Sequence, residues 1–298
     1  MNLRIIVPCY NSSKFIEETF NNIEKVLNYN NHLNIHVFFI DDGSTDNTLS
    51  ILNELCKELE SFFVFHKSNG GEGSARNFGL DIKKEMYDYV FFVDSDDNLS
   101  DNFNYACIKL KELKPDILTC SYIQTDAESL TVLKTYIQIS NVYSKNSALK
   151  QFLYRNFVPG IGNTFFKKGN VRFSKFKLGA DSLYAFENII SSNYIIGHPA
   201  IVYDYKIRRG SAMDSQSFDN LKVALIIKNY ISSNFKNLIT ASNFFLTNEM
   251  FGYYQRTNKI INSNKKLFDF KWFFEISLKK KLKIILYKIK ICLKFIKN

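Results

Sequence analysis

The chain has 298 residues, 46% of them hydrophobic and 23% charged, with only 12 Gly and 4 Pro. That composition fits a folded α/β protein with a large core and leaves little room for a disordered linker. The formal charge is +10, but the last 24 residues hold eight lysines against the single acid Glu275. The body is therefore close to neutral, which argues against a nucleic-acid-binding protein. Five cysteines with no CxxC pair suggest neither a disulfide framework nor a zinc site. Ile5-Ile6-Val7 stops at Pro8 and is too short for a secretory h-region. No uncharged run reaches the ~18–20 residues of a spanning helix. A cytoplasmic protein with reduced thiols is expected.

The first hundred residues alternate short apolar runs with amphipathic stretches. Leu3–Val7 reads as a buried strand. Phe15, Ile16, Phe20, Ile23, Val26 and Leu27 then recur at helical spacing over 13–29. Ile35–Ile40 is a second strand, and 46–60 a second helix. Phe62–Phe65 is a third strand, 73–85 a third helix and Tyr89–Val93 a fourth strand. This β-α-β-α-β-α-β series predicts a mostly parallel sheet flanked by helices. The middle of the chain is less legible, with a strand at Ile117–Ser121, a helix over 181–192 and a strand over 200–207. From about 218 onward the pattern is helical. One domain over 1–212 and a helical C-terminal region over 213–298 follow from that reading.

The unusual polar residues fall at strand ends. Pro8-Cys9-Tyr10-Asn11 follows the first strand, Asp41-Asp42-Gly43-Ser44 the second, and Asp94-Ser95-Asp96-Asp97 the fourth. The carboxyl ends of parallel strands line one edge, where ligands bind. Each motif alone also reads as a turn or helix cap. Three carboxylates in four residues repel one another unless a cation compensates. A hard divalent ion, Mn²⁺ or Mg²⁺, takes such oxygens together with substrate phosphates. Asn69-Gly70-Gly71-Glu72-Gly73 permits close backbone approach but lacks the spacing of a P-loop.

In order and spacing, four motifs resemble the family 2 inverting glycosyltransferases of the GT-A fold. They are Val7-Pro8-Cys9-Tyr10-Asn11, Asp41 to Thr48, Asn69-x-Gly71 with Ala75-Arg76-Asn77-x-Gly79, and Phe92 to Asp97. The resemblance is strong over 1–100 and looser to about 212. It implies a Rossmann-like sheet and a UDP-sugar donor. Pro8, Tyr10 and Asn11 would pack around the base and ribose, Asp42 would hold the uracil, and Asn69 and Arg76 would line the nucleotide. Asp94, Ser95 and Asp96 would bind the nucleotide sugar as part of a DxD element. Asp96 or Asp97 would ligate the metal, and the run leaves both registers open. The family's Gly-Glu-Asp reads Gly179-Ala180-Asp181 here. The resemblance makes Asp181 the general base, although an Asp opening a helix also reads as a cap. Tyr203-x-Tyr205-x-x-Arg208-Arg209-x-Ser211 resembles the segment that closes over the diphosphate, with Arg208 or Arg209 neutralising charge and Ser211 nearby.

The expected reaction transfers a sugar to a saccharide or lipid-linked saccharide acceptor in bacterial surface polysaccharide synthesis. A sugar-nucleotide nucleotidyltransferase is the alternative, as is an inactive relative that binds the donor without transfer. The nucleotidyltransferase would need a Gly-rich, Arg-containing loop where this chain has Pro-Cys-Tyr-Asn. At the C-terminus, Leu278, Leu282, Ile285, Ile289, Cys292 and Ile296 fall at steps of 3 and 4, with lysines on another face. A basic amphipathic helix of this kind lies on an anionic membrane. Peripheral association with the inner face of the plasma membrane is expected.

Overall fold

The computed structural model describes residues 1–30, 32–208 and 218–257. It divides into two compact units, Met1–Ala148 with Val158–Arg209, and Leu149–Phe157 with Gly210–Asn298. Arg209, Ser211 and the basic segment 276–298 lie outside the described residues.

The first unit is built on one mixed sheet of ten strands among the described residues. β1 (Asn2–Cys9), β2 (Asn34–Asp41), β3 (Phe62–His66) and β4 (Tyr89–Phe92) pair in parallel in the order β3-β2-β1-β4. Leu3, Ile5, Ile6, Val7, Phe39, Ile40, Phe91 and Phe92 are all inaccessible to solvent. That continuous run follows from helices on both faces of the sheet, which removes the polar alternation of a one-sided strand. α1 (Ile16–Asn28), α2 (Thr48–Cys56) and α3 (Glu72–Asp81) make the crossovers. α3 lies close against β1, since a Cβ on Gly79 would stand 2.8 Å from Ile6 Cγ2. Gly79→Ala is expected to cost ~1–3 kcal/mol through overpacking, measured as a lower urea midpoint.

Beyond β4 the directions change. β9 (Thr164–Lys167) runs antiparallel to β4, and β6 (Ile117–Asp126) antiparallel to β9. Two reversals restore the original direction. β6 and its parallel neighbour β10 (Ile195–Ile207) therefore end on the same edge as β1, β2 and β4. The two-residue β5 (Asn98–Leu99) pairs with β10. β7 (Val132–Tyr136) pairs with β6, and β8 (Asn141–Tyr143) with β10. α4 (Phe103–Leu113), α5 (Lys145–Leu153) and α6 (Ala180–Ser191) complete the order before the last helices. The sheet is thus parallel at its first four strands and mixed after them. This is the α/β GT-A arrangement.

In the second unit, α7 (Asp219–Asn234) and α8 (Ile239–Thr257) pack together. Leu221, Ile227, Ile231, Leu238 and Phe244 are buried there. Phe245 stacks on Phe152 at 5.6 Å between ring centroids, and Arg155 pairs with Glu249. Among the described residues no helix is long and apolar enough to cross a membrane.

Candidate active site

The loops after β1, β2 and β4 meet at the carboxyl edge of the sheet, bound to one another by short polar contacts. Asn11 takes a left-handed φ of 50°. Its backbone N–H donates to Ser44 Oγ at 3.0 Å, and its side-chain oxygen accepts from Thr45 N at 2.8 Å. Asn tolerates that conformation because its short side chain bonds locally. Ser12 Oγ and Ser95 Oγ share a hydrogen bond of 2.7 Å, which ties the first loop to the carboxylate run. Pro8 is buried, whereas Tyr10 is 52% exposed at the mouth.

Asp42 is buried and faces the glycine loop. Its carboxylate accepts from the backbone N–H groups of Gly70 and Gly71, at 3.1 and 2.7 Å, and from Lys67 Nζ at 2.5 Å. Asn69 is exposed on that loop. Asp41 accepts from His66 Nδ1 at 2.7 Å.

The four residues of the carboxylate run have separate environments. Asp97 is fully buried. It accepts from Tyr203 Oη at 2.8 Å and from Lys206 N at 2.8 Å, both on β10. Burial pushes its carboxyl well up, and the charges of Asp94 and Asp96 add to that. Asp94 N in turn donates to Tyr203 Oη at 3.0 Å. Asp97 thus clamps the loop to β10. Asp97→Ala is expected to lower stability by ~2–4 kcal/mol, since it strands two buried donors. Asp97→Asn keeps the shape and loses far less, read from the same unfolding curves.

Asp94 and Asp96 face outward, with side chains 34% and 39% exposed. Asp96 accepts from Arg208 Nη1 at 2.5 Å. Burial raises its carboxyl above the ordinary range, while Arg208 opposes the shift. Arg208 lies over the Phe15 ring, 4.2 Å from its centroid.

Arg76 occupies the centre of the site and is 2% exposed. Its Nη1 donates to Asp181 Oδ1 at 3.0 Å, and its Nη2 to Asp94 Oδ1 at 2.7 Å. Nη2 also pairs with Glu72, one helical turn earlier on α3. Phe173 flanks the guanidinium at 5.2 Å. Burial works against the charge of Arg76, but the three carboxylates hold it protonated more firmly than usual. Asp181 opens α6 after Gly179 and keeps a side chain 54% exposed. Burial raises its carboxyl, with Arg76 pulling it down and Asp94 pushing it up. Arg76 pulls the Glu72 carboxyl down, yet burial and the charges on Asp94, Asp181 and Asp96 outweigh it and push it up to about 7.

The structure therefore brings together Arg76, Asp94, Asp181 and Glu72, whereas Asp96 is paired with Arg208 instead. Ser95 is held by Ser12, and Ser211 lies outside the described residues. Sequence reasoning passed over Glu72, Lys67 and Phe15. Glu72 had a signal, the four-residue spacing from Arg76 on a helix. Among the described residues no three acidic, histidine or cysteine side chains converge as a ready cage for a metal. The donor chemistry at Asp96 still fits a hard divalent ion, which is bound by one or two carboxylates and completed by substrate phosphates.

Comparison with known proteins bears on the family and the fold. An uncharacterised glycosyltransferase of Mycoplasma genitalium is 39% identical over 102 residues, which is 34% of this chain and 34% of the relative. The chain thus aligns with about a third of that relative's length. Among solved structures, S. aureus TarS in complex with UDP-GlcNAc superposes with a TM-score of 0.66 at 21% identity. The match covers 96% of this chain and 79% of that one. A mannosyltransferase from Pyrobaculum calidifontis in complex with GDP-Man and Mn²⁺ gives 0.56 at 14% identity, over 97% and 86% of the two chains. At these identities the two structures establish the fold alone. The family described as Glycosyl transferase family 2 matches residues 4–173, more than half of the chain. By that match this chain belongs to glycosyl transferase family 2.

Proposed function

We propose that the chain transfers a sugar from a UDP-sugar to a hydroxyl of a saccharide or lipid-linked saccharide, with inversion at the anomeric carbon. The observation that carries this reading is the Arg76 bridge. One buried guanidinium holds Asp94, on the donor-side loop, and Asp181, on α6, at 2.7 and 3.0 Å. A carboxylate for the acceptor proton is thereby fixed beside the loop that would meet the diphosphate.

In this reading Tyr10, Asn11, Asp42 and Asn69 frame the nucleoside, with Pro8 beneath them. Asp94 and Ser95 face the sugar and ribose. Asp96 is the ligand for Mn²⁺ or Mg²⁺, because Asp97 already spends both oxygens on β10. When bound, the ion supplies Lewis-acid stabilisation of charge on the leaving diphosphate. Arg208, already on Asp96, would turn to the phosphates and neutralise them. Asp181 accepts the proton as the acceptor oxygen attacks from the face opposite the leaving group. A single displacement of this kind turns an α-linked donor into a β-glycoside.

The TarS complex contains UDP-GlcNAc, which supports a UDP-sugar as donor. The Mn²⁺ in the mannosyltransferase complex supports a divalent ion. Surface polysaccharide synthesis is the setting proposed, with the basic segment 276–298 resting on the cytoplasmic face of the membrane. A panel of UDP-sugars, assayed for UDP release with and without Mn²⁺, tests the reading. One UDP-sugar hydrolysed or transferred only with the ion is the expected result. No UDP release from any member, or release indifferent to chelator, contradicts it.

A further inference from the structure

The segment that leaves β6 is exposed along most of its length, aliphatic residues included. A strand on a sheet edge normally turns apolar residues to the body and polar ones to water. Here Leu133, Ile137 and Ile139 point outward, at 55%, 58% and 72% exposure. Of the residues between them, Tyr136 and Gln138 turn toward the protein, while Lys134 and Thr135 stay exposed. Tyr136 stacks on Tyr122 with ring centroids 4.4 Å apart, and Gln138 is buried with its N–H on Ser121 Oγ at 2.9 Å. Lys134 folds over the Tyr136 ring, 3.8 Å from its centroid. Leu130, Val132 and Val142 extend the exposed aliphatic surface at both ends. The segment is held firmly, since the Ile139 carbonyl lies where a Cβ on Gly197 would come within 2.6 Å.

We infer that residues 130–142 form an apolar strip that beds into the interfacial layer of a phospholipid bilayer. A contiguous aliphatic surface of this kind marks an interaction site. Six side chains are far short of the ~20–30 residues a side, or ~800 Å² per partner, of a stable protein interface. A lipid interface demands no matching shape. It takes aliphatic side chains and tolerates a lysine whose head reaches the polar boundary, and Lys134 is exposed within the strip. Lys134 is the one charged residue from Ser129 to Ser144. The acids Asp126 and Glu128 are confined to the turn before the strip, where Asp126 accepts from Glu128 N and Ser129 N.

The strip begins at the carboxyl edge of the sheet, because Val132 pairs with Thr125 near the end of β6. From there it runs back along β6 to the start of β10, where Val142 pairs with Ile196, so its first residues would bring the edge of the cleft near the membrane surface, where a lipid-linked hydroxyl is presented. That last point rests on the proposed acceptor, whereas the strip itself does not. A chain that binds lipid through residues 130–142 and transfers no sugar would fail only the functional reading.

The test uses the full chain carrying Cys292→Ser, in which the four described cysteines are buried. Ile137→Cys is labelled with an environment-sensitive nitrobenzoxadiazole dye and mixed with phosphatidylcholine–phosphatidylglycerol vesicles. The emission should shift to the blue and rise severalfold. The same dye at Glu60→Cys, ahead of β3 on the opposite side of the sheet, should not respond. In unlabelled protein, Leu133→Asn with Ile137→Asn and Ile139→Asn should weaken vesicle co-sedimentation about tenfold while leaving the unfolding midpoint in place. Emission from residue 137 that ignores vesicles overturns the inference. So does emission already blue-shifted in buffer, which would mean that a second copy or the chain's own C-terminal segment covers the strip.

Discussion

Asp181→Asn should reduce sugar transfer by ~10²–10⁴-fold, the range a positioned general base contributes, while UDP binding stays at the wild-type level. The side chain keeps its shape and its place near the start of α6, while it loses the capacity to take a proton and its charge on Arg76. The pH profile gives a second readout. The Asp181 carboxyl lies above its ordinary value because of burial, with Arg76 opposing and Asp94 assisting. Only the ionised form accepts a proton. Transfer should therefore fall as the pH drops through a value above the ~3.9 of a free aspartate. That acid limb should vanish from the residual activity of Asp181→Asn. Wild-type transfer by the variant would remove Asp181 from the chemistry.

Arg76→Met should cost stability and activity together. Removing one partner from a buried ion pair costs ~3–5 kcal/mol. Here Asp181 and Glu72 keep about half of their side-chain surface open to water, and solvent screens part of the repulsion. The expected loss is ~2–3 kcal/mol, read from urea unfolding. Transfer should fall further than stability explains, because Asp94 and Asp181 lose their common anchor. Arg76→Lys keeps the charge but lacks the planar fork that reaches two carboxylates on separate nitrogens. It should recover much of the stability and little of the turnover. Equal recovery of both would reduce Arg76 to a structural counter-ion.

The first four strands were legible because each is a short apolar run between turn residues, with a helix-period stretch after it. The polar motifs at their ends were legible for the same reason, since parallel strands deliver their ends to one edge. The stretch from 100 to 175 was legible only at the start of β6, expected at Ile117–Ser121 and observed over Ile117–Asp126. β9 is four residues long and pairs with strands on both sides, leaving no alternation to read. β7 is exposed along nearly its whole length, so no alternation of burial marks it. Within the carboxylate run, sequence left Asp96 and Asp97 interchangeable. Their difference comes from Tyr203 and Lys206, more than a hundred residues later on β10. Arg76 was expected along the nucleotide, whereas its three carboxylate partners come from α3, the β4 loop and α6. No local pattern announces a contact between residues 76 and 181. The motif order of the family did supply both names, but the bond between them belongs to the tertiary structure.

In the proposed mechanism the outward carboxylate of the run, together with a divalent ion, would receive the donor's diphosphate, while Asp181 serves the acceptor. Calorimetric titration of UDP in the presence of Mn²⁺ tests it most directly, on the wild-type chain, Asp96→Asn and Asp181→Asn. Wild type and Asp181→Asn should bind UDP alike and only with the ion, and Asp96→Asn should lose at least tenfold in affinity. UDP binding that needs no ion, or that survives Asp96→Asn unchanged, would contradict it.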